Sequence, residues 1–81
     1  MPRNGAAAAR IGSHLRAART KAGLTQQDAA THSGTTQTQI SGWESGLYIP
    51  TIPKAIALAD AYEVTLDELL GRVIDEPKGG G

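Results

Sequence analysis

Apolar positions recur at helical spacing through most of the chain, and no stretch alternates with the period of a β-strand. The first stripe has spacings of four, three and four residues and consists of Ile11, Leu15, Ala18 and Ala22. This stripe predicts an amphipathic helix over residues 8–22. Gly23 follows at the position where a helix commonly ends, because glycine adopts positive φ without steric strain.

Threonines at the starts of four later segments predict four more short helices. These N-cap residues are Thr25, Thr36, Thr51 and Thr65. Each side-chain oxygen can accept a hydrogen bond from a free backbone N–H of the first helical turn. The second helix is expected over residues 26–32, and the third over about 36–45. The fifth helix is expected to stop at Gly71.

The apolar residues of these segments predict which faces are buried. Ala29 and Ala30 are expected to face inward from the second helix, and Ile40 and Trp43 from the third. The predicted buried stripe of the fourth helix consists of Ile52, Ile56, Ala59 and Tyr62. Five short helices without a strand pattern predict an all-α domain.

Length and composition limit the organisation of the chain. Eighty-one residues make one domain at most. We expect a flexible N-terminal arm over residues 1–7, a folded domain over 8–74 and a disordered, Gly-rich tail over 75–81. No cysteine is present, so disulfides and thiolate metal sites are excluded. Neither a signal peptide nor a membrane-spanning run is evident, so a cytoplasmic location is expected.

The charges are distributed unevenly although the net charge is zero. Nucleic-acid-binding domains are usually basic, so neutrality weighs mildly against DNA binding. However, residues 1–27 contain five basic residues and no acid, whereas all eight acids lie between Asp28 and Glu76. The resulting asymmetry is suited to orienting the domain on a phosphate backbone, although ordinary surface charge explains it equally well.

The segment from Leu24 to Gly46 has the organisation of a helix-turn-helix, with two short helices joined by a tight turn containing Gly34. Residues 11–70 resemble the phage-repressor and Cro-type helix-turn-helix family, also called the XRE family. The landmarks that carry the resemblance are Ile11-Gly12, Leu15-Arg16, Arg19, Gly23-Leu24-Thr25-Gln26, Ala30, Gly34, Ile40-Ser41, Glu44, Gly46, Pro50, Leu58-Ala59 and residues 64–70. The resemblance implies a lambda-repressor-like domain whose third helix enters the major groove of DNA.

The resemblance and the helical geometry together suggest which residues contact DNA bases. With Ile40 and Trp43 inward, steps of 100° put the opposite face at Thr38, Ser41, Gly42 and Ser45, with Gln37 beside it. In the family, the positions matching Gln37, Thr38 and Gly42 contact base edges. A glutamine amide can form a bidentate pair with adenine, which makes Gln37 the best candidate. Gly42 departs from the family pattern because it has no side chain.

Other residues are candidates for contacts with phosphate. The resemblance gives Gln26 a phosphate contact that also supports Gln37, and free N–H groups at a helix start favour anions. The remaining candidates are Thr36, Ser45, Tyr48, Arg3 and Arg10. Residues 47–49 lack the basic side chains that the family often carries there. This departure implies weak affinity or dependence on dimerisation.

Three structural roles are also expected. Arg19 and Glu44 resemble the family's ion pair between the first and third helices. The sole tryptophan, Trp43, is expected in the core rather than stacked on a base. A homodimer is expected, because one recognition helix contacts few base pairs. Its predicted interface consists of Leu69, Leu70, Val73 and Ile74, which alternatively complete the monomer core.

Nothing in the chain forms a catalytic set, so an enzyme is not expected. His14 and His32 are eighteen residues apart without evident further ligands, and we expect neither a metal nor another cofactor. The leading hypothesis is a sequence-specific regulator of operator DNA, of the phage or prophage repressor, antitoxin or restriction-modification controller type. The alternative is a protein-interaction module that retains the fold and binds a protein partner such as a toxin or a polymerase subunit.

Overall fold

The computed structural model describes residues 3–71, with side chains over residues 6–71, and this part forms five α-helices without a strand. The helices are α1 (Arg3–Lys21), α2 (Gln26–Ser33), α3 (Gln37–Glu44), α4 (Ile52–Tyr62) and α5 (Leu66–Leu70). The predicted all-α architecture is confirmed. From residue 21 onward, each helix end given above from the sequence lies within about one residue of the observed end.

The start of α1 differs from the expectation. The helix begins at Arg3, five residues before the predicted start at Ala8, so residues 3–7 are helical rather than an arm. Four consecutive alanines, which have the highest helix propensity, favour this extension. Ala8 is also buried, so packing supports this part of the helix. The predicted tail, residues 75–81, lies outside the described residues.

Local side-chain chemistry defines where the later helices begin. All four predicted threonine caps form, each hydroxyl accepting a hydrogen bond from the backbone N–H three residues on. Asp28, Gln39 and Glu68 complete three of these caps by accepting from the cap backbone N–H. Hydrogen bonds from the backbone N–H and the hydroxyl of Thr25 lower the pKa of Asp28. Gly34 then ends α2 at φ 71°, which permits the tight turn into α3.

The core lies behind α3 and draws on all five helices. Its fully buried large side chains are Leu15, Ile40, Leu58 and Leu69. Trp43 packs in the same cluster and is 4% exposed, which confirms its predicted structural role and leaves no face for stacking on a base. Ala29 and Ala30 face inward from α2, as predicted.

The buried face of α4 differs from the predicted stripe. It consists of Ala55, Leu58, Ala59 and Tyr62. Ile52 and Ile56 are instead 60% and 46% exposed, so half of the predicted stripe is wrong. The reason is that α4 packs against α2, which also buries alanines, and small side chains allow two helices to approach closely.

The described part of α5 belongs mainly to the monomer core. Leu69 has no exposed surface, so it is not available for the predicted dimer interface, and the alternative role as core residue is correct for it. Its burial follows from packing of α5 against both α1 and α4. Leu70 is half-buried. Val73 and Ile74 lie outside the described residues.

Candidate nucleic-acid interface

Helix α3 presents one apolar and one polar face, as the sequence predicts. Ile40 and Trp43 are buried on the inner side. The outer side exposes Gln37, Thr38, Ser41 and Ser45. Glu44 is the only charged residue of α3, and its side chain forms an ion pair with Arg19. The exposed surface of α3 therefore carries hydrogen-bonding groups and no unpaired negative charge that would repel a polyanion.

Close contact with α1 fixes the C-terminal end of α3. A Cβ placed on Gly12 would lie 2.5 Å from the carbonyl oxygen of Trp43 and 2.6 Å from that of Glu44. Farther along, Gly46 packs against the backbone of Ala9. Only a residue without a side chain permits this approach at position 12. The sequence identifies Gly12 only as a family landmark. Its steric role depends on where α1 crosses α3, which the spacing of residues along the chain does not reveal.

A hydrogen-bonded network joins the ends of three helices at Glu44. The predicted ion pair is present: Arg19 Nε donates to Glu44 Oε2 at 2.6 Å, and Arg19 Nη2 donates to Oε1 at 3.0 Å. Arg19 Nη1 also donates to the Leu24 carbonyl at 2.8 Å, in the turn before α2. The hydrogen bond with Glu44 is the main cause of the raised pKa of Arg19.

Gln26 joins this network through a contact that the sequence did not predict. Its Nε2 donates to Glu44 Oε1 at 3.1 Å, which connects the start of α2 to the end of α3. A shallow concave surface of about 360 Å³ adjoins it, lined by Gln26, Gln37, Thr38, Ser41, Gly42, Leu47 and Tyr48. We call this surface the α2–α3 groove. It brings together six of the predicted DNA-contacting residues.

Gly42 occupies a different environment from the predicted one. It is buried, because the ring of Tyr48 lies over it: a Cβ on Gly42 would overlap Tyr48 Cζ and Oη and lie 2.9 Å from Cε1. The ring of Tyr48 therefore covers Gly42, and the base contact expected at this position stays a prediction. Tyr48 extends the surface of α3, and its predicted contact with phosphate stays a prediction.

The remaining predicted phosphate contacts have distinct surroundings. The Thr36 hydroxyl is part of the α3 cap with Gln39, and the Ser45 hydroxyl donates to the Gly42 carbonyl at 3.2 Å. Both residues are exposed. Arg10 is exposed on α1, next to the residue that packs on Gly46. The side chain of Arg3 lies outside the described residues.

Other chemistry in residues 6–71 is limited. No group of three or more His, Asp or Glu side chains there is placed to hold a metal ion. Burial, followed by the charge of Glu44, raises the pKa of Tyr62 to about 12, so its phenol stays neutral. Among the helices described, none has the length and apolar character needed to cross a membrane.

Comparisons with known proteins agree with this geometry. The helix-turn-helix family model matches residues 15–69. Over 48 residues, the chain is 40% identical to the cryptic phage CTXphi transcriptional repressor RstR of Vibrio cholerae. The matched residues make up 59% of this chain but only 43% of the length of that repressor.

Two solved structures are also similar. The restriction-modification controller protein C.AhdI from Aeromonas hydrophila superposes with a TM-score of 0.76 and 31% identity, over 79% of this chain and 97% of the controller. The P22 c2 repressor, solved in complex with a synthetic operator, superposes with a TM-score of 0.68 and 29% sequence identity. The match covers 73% of this chain and 89% of the repressor. With the matched family model and the α2–α3 geometry, the chain belongs to the helix-turn-helix family, of the phage-repressor and Cro type.

Proposed function

We propose that this protein is a transcriptional regulator that binds double-stranded DNA sequence-specifically and acts by occupying an operator. The observation that carries the proposal is the exposed polar face of α3, held from behind by Ile40 and Trp43. A rigid helix of this kind, following a second short helix across a tight turn, fits the major groove. The proposal places the regulator in the cytoplasm of a bacterium.

Base contacts are assigned to the first turns of α3. Gln37 is exposed at the start of the helix, and its amide offers a donor and an acceptor that match the N7 and N6 groups of adenine. Thr38 and Ser41 lie beside it in the α2–α3 groove and can contact neighbouring base edges. Gln26 faces the same groove while its Nε2 is bound to Glu44, so it is suited to support the orientation of Gln37.

Phosphate contacts are assigned to the borders of this surface. Thr36 and Ser45 are exposed at the two ends of α3, and the start of α2 supplies backbone N–H groups near Gln26. Positive charge comes from the acid-free α1, where Arg10 is exposed near the end of α3. Such contacts give affinity without sequence preference.

Selection from a random pool of duplex DNA tests the assignment of Gln37. The wild-type chain is expected to select a defined sequence. Gln37→Ala should lose about 1–3 kcal/mol of discrimination at one base pair while the domain stays folded, because one bidentate contact is removed. The matched control is Gln27→Ala, an exposed glutamine of α2 outside the groove, which should select the wild-type sequence.

A salt titration of the same complexes separates DNA binding from the alternative of a protein-interaction module. Binding should weaken with salt by roughly 0.9 log unit per log unit of salt for each phosphate neutralised. Selection of no sequence, together with affinity that is absent or independent of salt, would contradict the proposed function.

We further propose that the protein binds its operator as a homodimer, through an apolar surface that follows α3 in the chain. This surface, which we call the α4 patch, consists of Leu47, Ile49, Ile52 and Ile56, all at least 45% exposed. The four residues lie within ten positions of one another in the chain, and contiguous exposed apolar surface favours protein association. The α4 patch begins in the loop that follows α3, so a two-fold contact there would bring the ends of the two α3 helices close to the interface.

Sedimentation equilibrium tests this interface against the one expected from the sequence. Ile56→Ser should convert the dimer to a monomer, because it introduces a polar side chain into an apolar contact. Leu70→Ser, in the half-buried residue of the α5 interface predicted from the sequence, should leave the dimer intact. A dimer that is lost only with Leu70→Ser, or a wild type that stays monomeric with operator DNA present, would exclude the α4 patch.

A further inference from the structure

The surface of α3 contains a side chain that does not belong to the helix. Thr38 and residue 42 are one helical turn apart and share a face. Residue 42 is glycine and contributes nothing to that face, yet the ring of Tyr48 lies where a side chain at position 42 would project. Tyr48 is 45% exposed there and forms one side of the α2–α3 groove, with Gln26 and Gln37.

We propose that Tyr48 replaces the missing side chain of residue 42 and contacts a base edge in the major groove, so that it is a specificity-determining residue. This inference rests on the proposed function, because it assumes that α3 enters the groove. It also changes the role of the loop after α3, whose tyrosine is otherwise expected to bind only the DNA backbone.

The position of the phenol is held from both sides of the loop. The backbone N–H of Leu47 donates to the Gly42 carbonyl at 2.9 Å, which attaches the loop to the last turn of α3. On the other side, Pro50 is buried. These two attachments, together with the packing of the ring on Gly42, favour an orientation of Tyr48 that exists before DNA binds. Preorganisation of this kind favours a specific contact.

The chemistry of tyrosine suits a base edge. Its hydroxyl both donates and accepts a hydrogen bond, and its ring can pack on a thymine methyl group. The contact with Gly42 places the hydroxyl where a side chain of residue 42 would project, on the face of α3 that also carries Thr38. A contact at that place distinguishes one base pair from another.

The test compares Tyr48→Phe, Gly42→Ala and the double variant by selection from random duplex DNA and by affinity for the selected site. Tyr48→Phe should reduce discrimination at one base pair by about 3- to 10-fold, the effect of one hydrogen bond. Gly42→Ala should affect the same base pair, because its methyl group displaces the ring. The double variant should lose little more than either single variant.

Tyr62→Phe is the matched control, since Tyr62 is the other tyrosine of the chain and is buried in the core. It should leave base preference unchanged. An equal loss of affinity for all sequences in Tyr48→Phe would assign Tyr48 to phosphate and overturn the inference. Unchanged base preference in Tyr48→Phe would also overturn the inference. If Gln37→Ala relaxes base preference in the same experiment, the proposed function still stands. A wild type that selects no sequence would overturn both.

Discussion

Replacing Arg19 with methionine is expected to destabilise the domain by about 3 kcal/mol, the lower end of the range for broken buried ion pairs. The substitution leaves the Glu44 carboxylate, whose side chain is 5% exposed, with Gln26 as its remaining side-chain partner. Because the Arg19 side chain is itself 13% exposed, water partly compensates the loss. In a domain of this size, each kcal/mol lowers the melting temperature by about 4–8 °C. Calorimetry and urea unfolding measure the effect.

Two further variants make this result specific to the pair. Lys21→Met removes an exposed cation from the same end of α1 and should change stability by less than about 0.5 kcal/mol. Adding Glu44→Leu to Arg19→Met should restore part of the lost stability, since no unpaired charge remains buried. Equal melting temperatures for Arg19→Met and Lys21→Met would show that the network does not hold the helices together.

Gly12→Ala is expected to destabilise the domain by about 1–3 kcal/mol, although alanine is the better helix former by about 1 kcal/mol. The added methyl group would lie 2.5 Å from the Trp43 carbonyl oxygen, and a backbone atom cannot move aside as a flexible side chain can. The clash is relieved only if α1 and α3 separate. DNA affinity should therefore fall more than stability alone explains, because α3 is displaced relative to α2.

The control for this prediction is Ser13→Ala, at the next and exposed position of α1, which should be close to neutral or slightly stabilising. Urea unfolding gives the stabilities, and titration of the selected DNA site gives the affinities under conditions where each variant is folded. Stabilisation of the domain by Gly12→Ala would mean that α1 does not approach α3 at that point.

Local features of the structure were predictable from the sequence. The four threonine caps and the Gly34 turn depend on hydrogen bonds and dihedral angles within a few residues, so their signals lie next to one another in the chain. The inward position of Ile40 and Trp43 follows from their spacing alone. These features determine which side of α3 is exposed, and so most of the candidate site.

The features that were missed depend on contacts between distant segments. The choice between Ile56 and Ala55 for the buried face of α4 is decided by how closely α2 approaches, and hydrophobicity alone favours the wrong residue. Likewise, no spacing rule brings Tyr48 over Gly42 or Gln26 to Glu44, since each contact depends on the direction of a loop or the crossing of two helices.

Chemical-shift mapping by NMR during titration with the selected duplex shows whether α3 is the helix that contacts DNA. The side-chain amides of Gln26 and Gln37 and the backbone amides of residues 36–42 should show the largest changes. Residues 60–64, which border a cavity that Lys21 and His32 also line and that no residue of α3 lines, should change little. Changes concentrated around residues 60–64, with the Gln37 side chain unaffected, would contradict the assignment of α3 as the helix that contacts DNA.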